Sequence, residues 1–289
     1  MELTSRRLDE MTSREVEFYL KEGGDLIFIP FGPISGHGAF TPLGIHAHWA
    51  EALSTILARK ANGVVYPAVF QVYSGATRSF RGSVSFTIAQ QVEILCHVAK
   101  TLYGQGFKRV VLVSGTTPET TGGIVAARTL FDETEVPFWC VEAERALAKP
   151  EVKAVFEGYP GNFGETLLGL ASLKILGRER SIPCPKWAKE PKADDGEGDQ
   201  PKDVFEDVKT LRQWGAVGFR YHQERHHGNH GTAGLKWKGR ADVDMAVEVL
   251  EKSADAVLPA LTSFTKYREW LEEHPFKWVT ATERLDTPL

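Results

Sequence analysis

Cysteine is scarce in this chain. Three stand among 289 residues, Cys96, Cys140 and Cys184, and no two form a C-x-x-C pair. That argues against a disulfide scaffold and fits a reducing, cytoplasmic setting. Cys96 falls in a helical pattern and Cys140 in a strand pattern, so both are expected as buried thiols. Long apolar runs are missing too: none approaches the ~18 residues that cross a bilayer. The opening MELTSRRLDEMTSREVEFYL has no apolar h-region, so no secretory signal is expected. Positive charge is not in excess. Lys and Arg total 34 against 38 Asp and Glu, a net charge of −4, which leaves no basic face for nucleic acid. No internal repeat is visible. GPISGHG, 32–38, is glycine-rich but lacks G-x-G-x-x-G spacing, and SGTTPETTGG, 114–123, lacks the lysine of a P-loop, so no dinucleotide or P-loop site is expected.

What is present is an ordinary globular composition, 42% hydrophobic and 25% charged, in a chain long enough for one large α/β domain. SREVEFYLKE, 13–22, reads as a first helix with Ser13 as a candidate cap. DLIFIPFG, 25–32, reads as a buried strand, and His46 to Lys60 as a helix with Trp49, Leu53, Ile56 and Leu57 at helical spacing. GVVYPAVF, 63–70, reads as a second strand interrupted at Pro67. Thr87 caps a strong helix that stops at the glycines of 104–106. KRVVLVS, 108–114, is the clearest strand. A loop, GTTPETTGG, then a helix at 123–132 are expected, followed by a strand at 137–143, a helix behind it, and another from GNFGE, 161–165, to about Leu176. Segment 177–206 is charged and rich in Pro and Gly, as a surface insertion would be, with a functional lid as the alternative. VFEDVKTLRQWG, GAVGFRY and 241–264 read as helix, last strand and long closing helix, with Trp270 and Trp278 in a tail that packs on the surface or a partner subunit. Alternating strands and helices predict a single α/β domain over 1–289, with a mostly parallel sheet flanked by helices.

Histidines gather in two places. His37, His46 and His48 lie in PFGPISGHGAFTPLGIHAHWAE, 30–51, directly after the first strand, where α/β proteins place ligand sites. If a helix has already begun at His46, His46 and His48 stand roughly 200° apart on it and cannot share one ion. His226, His227 and His230 lie in RHHGNHG, 225–231, either an exposed loop or one that closes an acid/base histidine over a pocket. SGTTPETTGG offers hydroxyls before a helix, either to cradle an anion or carbonyl or simply to cap the helix. Tyr73, Phe80 and Trp139 are candidate pocket walls, with core burial as the alternative.

Several stretches resemble the creatininase (creatinine amidohydrolase) family over roughly residues 10–265. PFGPISGHGAFTPLG is similar to that family's P-x-G-S-x-E-Q-H-G-x-H-L-P-L segment, and FQVYSGATRSFRGSVSFT to its Y-G-x-S and F-x-G-T-I-S-L segment. GFKRVVLVSGTTPE stands where the family has a strand and N-G-H-G-G-N. GNFGETLLGLASL resembles H-A-G-E-x-E-T-S, and GRADVDMAVEVLEKSADAVLPAL takes the place of the closing helix. The resemblance implies a creatininase-like fold, a site at the strands' C-terminal ends, hydrolysis of small cyclic amides, formamides or related C–N bonds, a carbocyclic ketone C–C bond being a further possibility, and a hexameric homo-oligomer.

The departures concern the family's two-metal centre. Its first-loop Glu position is Ser35, the Gln is Gly36, His37 is retained, and the bridging Asp position is His46. The third-loop His falls at Thr116, with Glu119 three residues on. The H-A-G-E His falls at Asn162, and its Glu is retained as Glu165. Without a bridging carboxylate to screen two cations, a two-metal centre is not expected. One divalent metal is: His37, His46 and a carboxylate suit Zn, with Mn, Fe or Co as alternatives, and would bring a bound water towards a pKa of about 7. Glu165 or Glu119 would be the third ligand; the other would serve as general base or orient a ligand imidazole. His48 is an alternative to His46. Ser35, His48, Thr116 and Asn162 would line the substrate site, with His230 as a further acid/base. Two other readings stay open: a metal-independent lyase or isomerase in the same pocket, and a non-catalytic binding or scaffold protein.

Overall fold

The computed structural model describes residues 3–36, 41–75, 77, 81–156, 164–179, 210–211, 213 and 240–277. The expected helix at 204–215 falls almost wholly outside them, and so do the last strand, the 225–231 histidine loop, Trp278 and most of the 177–206 insertion.

Helix α1 (Ser13–Lys21) starts from Thr12 rather than Ser13. The T-x-x-E pair explains this: the Thr12 side chain accepts the Glu15 N–H, and the Glu15 carboxylate accepts the Thr12 N–H at 2.8 Å. Strand β1 (Leu26–Phe31) is buried along its whole length. Helix α2 (Ile45–Ala61) follows, then β2 (Val64–Val65), α3 (Ile88–Gly104), β3 (Arg109–Ser114), α4 (Thr117–Thr134), β4 (Trp139–Glu142), α5 (Pro150–Phe156), α6 (Gly164–Ile175) and α7 (Arg240–Glu273). The described strands form one parallel sheet in the order β2-β1-β3-β4.

Alternate residues of the sheet feed two cores. Leu26, Phe28, Val111, Val113 and Val141 pack with α2, α5, α6 and α7. Ile27, Ile29, Phe31, Val110 and Leu112 pack with α3 and α4. Strands covered on both faces read as unbroken apolar runs, which is why 25–32 and 108–114 were unmistakable. Each fully buried Leu, Ile or Phe contributes about 1.5–3 kcal/mol.

Three expectations change. The strand at 63–70 shrinks to two residues. Pro30 and Pro67 have no N–H to give, and beyond Val65 contact with β1 continues as isolated bonds: Tyr66 N–H to the Phe28 carbonyl, then Val69 N–H to the Pro30 carbonyl and Gly32 N–H to the Val69 carbonyl, which bridge Phe31 and Val69. Helix α4 begins at Thr117, not at 123. Pro118 fits a first helical turn, and Gly122 and Gly123 lie inside the helix because other side chains press against them. The closing helix runs on to Glu273, past 264. Cys96 is buried on α3 as expected, and Trp139 packs on Phe264 at 5.8 Å, a core contact. No helix among the described residues is long and apolar enough to cross a membrane.

Candidate functional site

The C-terminal ends of β1 and β3 lie side by side, Phe31 opposite Ser114. A glycine follows each strand. A Cβ on Gly32 would come within 2.4 Å of the Ala47 nitrogen, and one on Gly115 within 2.6 Å of the His46 carbonyl oxygen. The two glycines therefore let the first turn of α2 sit directly on the sheet's edge, with His46 in that turn.

His46 is 5% exposed. Its Nδ1 lies 3.2 Å from Thr116 Oγ1 and 3.3 Å from Glu119 Oε1. Glu119, 1% exposed, accepts the Thr116 N–H at 2.9 Å through Oε1 and the Thr116 hydroxyl at 3.0 Å through Oε2. A carboxylate only accepts, so the Thr116 hydrogen goes to Glu119, and Thr116 Oγ1 accepts from His46. That places the imidazole proton on Nδ1 and makes Nε2 the atom able to ligate a metal. Below this, Thr120 Oγ1 donates to the Thr116 carbonyl at 2.7 Å and pairs with Ser114 Oγ. The hydroxyls of Ser114, Thr116 and Thr120 are thus engaged with one another, with α4 and with His46, rather than open to an anion.

The first loop is tied down at both ends. Ser35, buried, donates its N–H to the Leu43 carbonyl at 2.8 Å, Gly36 N–H donates to Ser83 Oγ at 2.9 Å, and Ile34 bridges Val84. Thr41 Oγ1 bonds Thr166 Oγ1 at 2.6 Å in a buried contact that brings this loop against α6 one residue past Glu165. The backbone of Glu165 lies in the first turn of α6; its side chain, with His37, Phe80, Asn162, His226, His227 and His230, falls outside the described residues.

His48 goes elsewhere. Because α2 begins at Ile45, His46 and His48 take different sides of one helix. The His48 ring meets Phe70 edge-on at 5.9 Å, and its Nδ1 is 3.9 Å from Glu51 Oε2. An H-x-H chelate is thereby ruled out. Glu51, 1% exposed, is gripped by Arg7 from the N-terminal segment and by Arg178 at 3.0 Å. Burial works to raise its pKa, but His48, Arg7 and Arg178 outweigh it and hold the carboxyl at about 2, against an ordinary 4.5. A depressed folded-state pKa means stability that is present above about 4.5 and lost as the pH falls towards about 2. Glu51→Gln is accordingly expected to lower stability at pH 7 and to flatten its decline between pH 4.5 and 2, read from urea midpoints across that range.

Sequence reasoning singled out His46, Thr116 and Glu119, and the fold brings these three together. It missed Gly32, Gly115, the Thr41–Thr166 bond and Gln91, a fully buried amide on α3. The signal for Gln91 was present: it is a polar residue on the apolar stripe of Ile88 and Leu95. Among the described residues no three His, Cys, Asp or Glu side chains converge as a metal site. His46 nonetheless fits as one ligand of such a site, since its Nδ1 side is buttressed by a hydroxyl and a carboxylate.

No curated protein matches the chain significantly. Among solved structures, creatinine amidohydrolase (creatininase) is similar with a TM-score of 0.65 at 18% identity, covering 89% of this chain and 98% of that one. A mutant creatininase of Zn–Zn type matches with a TM-score of 0.65 at 19% identity, covering 89% and 99%, and a creatininase described as Mn with 0.61 at 18%, covering 89% and 99%. These likenesses establish the creatininase-like α/β fold. The family model Creatininase, described as creatinine amidohydrolase, matches residues 9–234, most of the chain, and the chain therefore belongs to the creatininase family.

Proposed function

We propose that this chain is a small-molecule hydrolase of amidohydrolase type that acts on a cyclic amide, formamide or related C–N bond with one divalent metal. The observation that carries this reading is His46, buried at the junction of β1 and β3 with Nδ1 held by Thr116 and Glu119. His46, His37 and Glu165 form the ligand set. The bond from Thr41 to Thr166 supports it, because it joins the loop that carries His37 to the helix turn that carries Glu165. Two imidazoles and one carboxylate suit Zn, and Mn, Fe or Co would be accepted by the same donors. When bound, such a metal polarises the substrate carbonyl and activates water.

The chain's own residues then divide the work. Glu119 keeps the His46 proton on Nδ1, its two oxygens being engaged by Thr116 and the imidazole. His230, the further acid/base, takes the proton of the attacking water and passes it to the leaving nitrogen, so that water adds across the C–N bond with no net proton change. Ser35, Thr116 and Asn162 are the residues assigned to substrate binding. His48, whose ring packs on Phe70, is a further proposed substrate contact.

Turnover of a panel of cyclic amides and formamides by protein stripped with chelator is the test. Loss of hydrolysis on stripping and recovery with Zn²⁺ or Mn²⁺ is expected. Full hydrolysis in chelator would overturn the metal-dependent reading, and turnover without hydrolysis in chelator would favour a lyase or isomerase built on the same pocket.

A further inference from the structure

Gln91 has no part in the chemistry above, yet it is a large polar side chain close to it with no exposed surface. A buried primary amide is costly unless both its ends are bonded. Here both are, and both to backbone. Nε2 donates to the Glu119 carbonyl at 2.7 Å, and Oε1 accepts the Tyr73 N–H at 3.1 Å. The partners belong to different segments of the site. Glu119 holds His46. Tyr73 opens the stretch that carries Ser83, whose hydroxyl accepts the Gly36 N–H of the first loop.

The sequence has also cleared space for this contact. A Cβ on Gly122 would fall 2.5 Å from Gln91 Cδ and 2.6 Å from Nε2. A helix interior does not favour glycine, so its place at 122 follows from the close approach of the Gln91 amide to α4. An apolar residue at 91 would fill the gap between α3 and α4 equally well. Only a side chain with a donor and an acceptor at opposite ends of one plane can pin Tyr73 to Glu119.

We infer that Gln91 is a positioning residue that sets the first turn of α4, and through Thr116 and Glu119 the His46 imidazole, against the 72–86 segment. The inference rests on the reading of His46 as a metal ligand. Its test carries a readout that does not.

Gln91→Met keeps the length and apolar packing and removes both hydrogen bonds. Gln91→Glu keeps an acceptor for Tyr73 and removes the donor to Glu119. Leu95→Ala, one turn on, opens a cavity in the same helix and leaves both bonds intact. Apo protein of each, and of wild type, is titrated with Zn²⁺, and backbone hydrogen exchange is followed in peptides containing Tyr73 and Gly115–Gly123. Gln91→Met is expected to weaken Zn²⁺ binding about 10–100-fold, as removal of an outer support to a ligand does, and to speed exchange in both segments. Gln91→Glu is expected to loosen Gly115–Gly123 while Tyr73 stays protected. Leu95→Ala is expected to lower Tm and leave Zn²⁺ affinity unchanged. Wild-type affinity and exchange in Gln91→Met would overturn the inference, as would equal losses of affinity in Gln91→Met and Leu95→Ala. If wild type itself takes up no Zn²⁺, the metal reading fails. Exchange then decides: faster exchange in both segments of Gln91→Met alone sustains the coupling, and no change refutes it.

Discussion

Gly115→Ala is expected to destabilise the protein severely for the addition of one methyl group. The added Cβ would lie 2.6 Å from the His46 carbonyl oxygen and 2.9 Å from both the His46 Cα and Cβ. Two of these atoms are backbone, fixed in the first turn of a helix whose inner face is fully buried, so no rotamer change relieves the clash. Either α2 lifts from the sheet or the end of β3 bends. The cost should reach or exceed about 3 kcal/mol, the upper part of the range for overpacking. Any variant that still folds should hold His46 out of reach of Thr116 and lose metal affinity. Gly104→Ala is the contrast. It ends α3 with nothing within 4 Å of the added methyl, and should stabilise by up to about 1 kcal/mol. Urea midpoints for the two variants check the pair. A Gly115→Ala protein as stable as wild type would mean that His46 is not wedged between the strand ends.

The second large effect is expected at His46 itself. His46→Ala removes the proposed ligand and leaves Glu119, 1% exposed, without the imidazole 3.3 Å away. Metal binding should disappear and stability should also fall, since a buried carboxylate has lost a partner. His48→Ala, two residues on, should keep the metal, because that ring packs on Phe70 and lies beside Glu51 instead. Isothermal titration of both apo variants with Zn²⁺ separates them. Loss of binding in His48→Ala with retention in His46→Ala would reverse the assignment.

Much of this fold is legible in the sequence. Strands β1 and β3 announce themselves because both faces are buried, and α3 because its apolar spacing and its T-x-x-Q start at Thr87 agree. What misled was glycine. The G-G at 122–123 reads locally as a loop, and only the approach of Gln91 to one and of Phe31 and Cys140 to the other shows why a helix tolerates them. β2 is short for a related reason: the missing N–H groups of Pro30 and Pro67 matter only once the neighbour is known. In the site, T-x-x-E at 116–119 is a visible capping pattern, but its second task is not. His46 lies 70 residues upstream of Thr116, and no local rule couples them. The same holds for Thr41 with Thr166 and for Gln91 with Tyr73 and Glu119. Helix periodicity did settle one point, since a helix that starts at Ile45 cannot turn His46 and His48 to one ion.

Elemental analysis of untagged protein, wild type beside His46→Ala and His37→Ala, bears most directly on the proposed one-metal centre. About one equivalent of a first-row metal in wild type, and none in either variant, is the expected result. Wild type that carries no metal even after incubation with Zn²⁺ and Mn²⁺, or variants that carry as much as wild type, would contradict it.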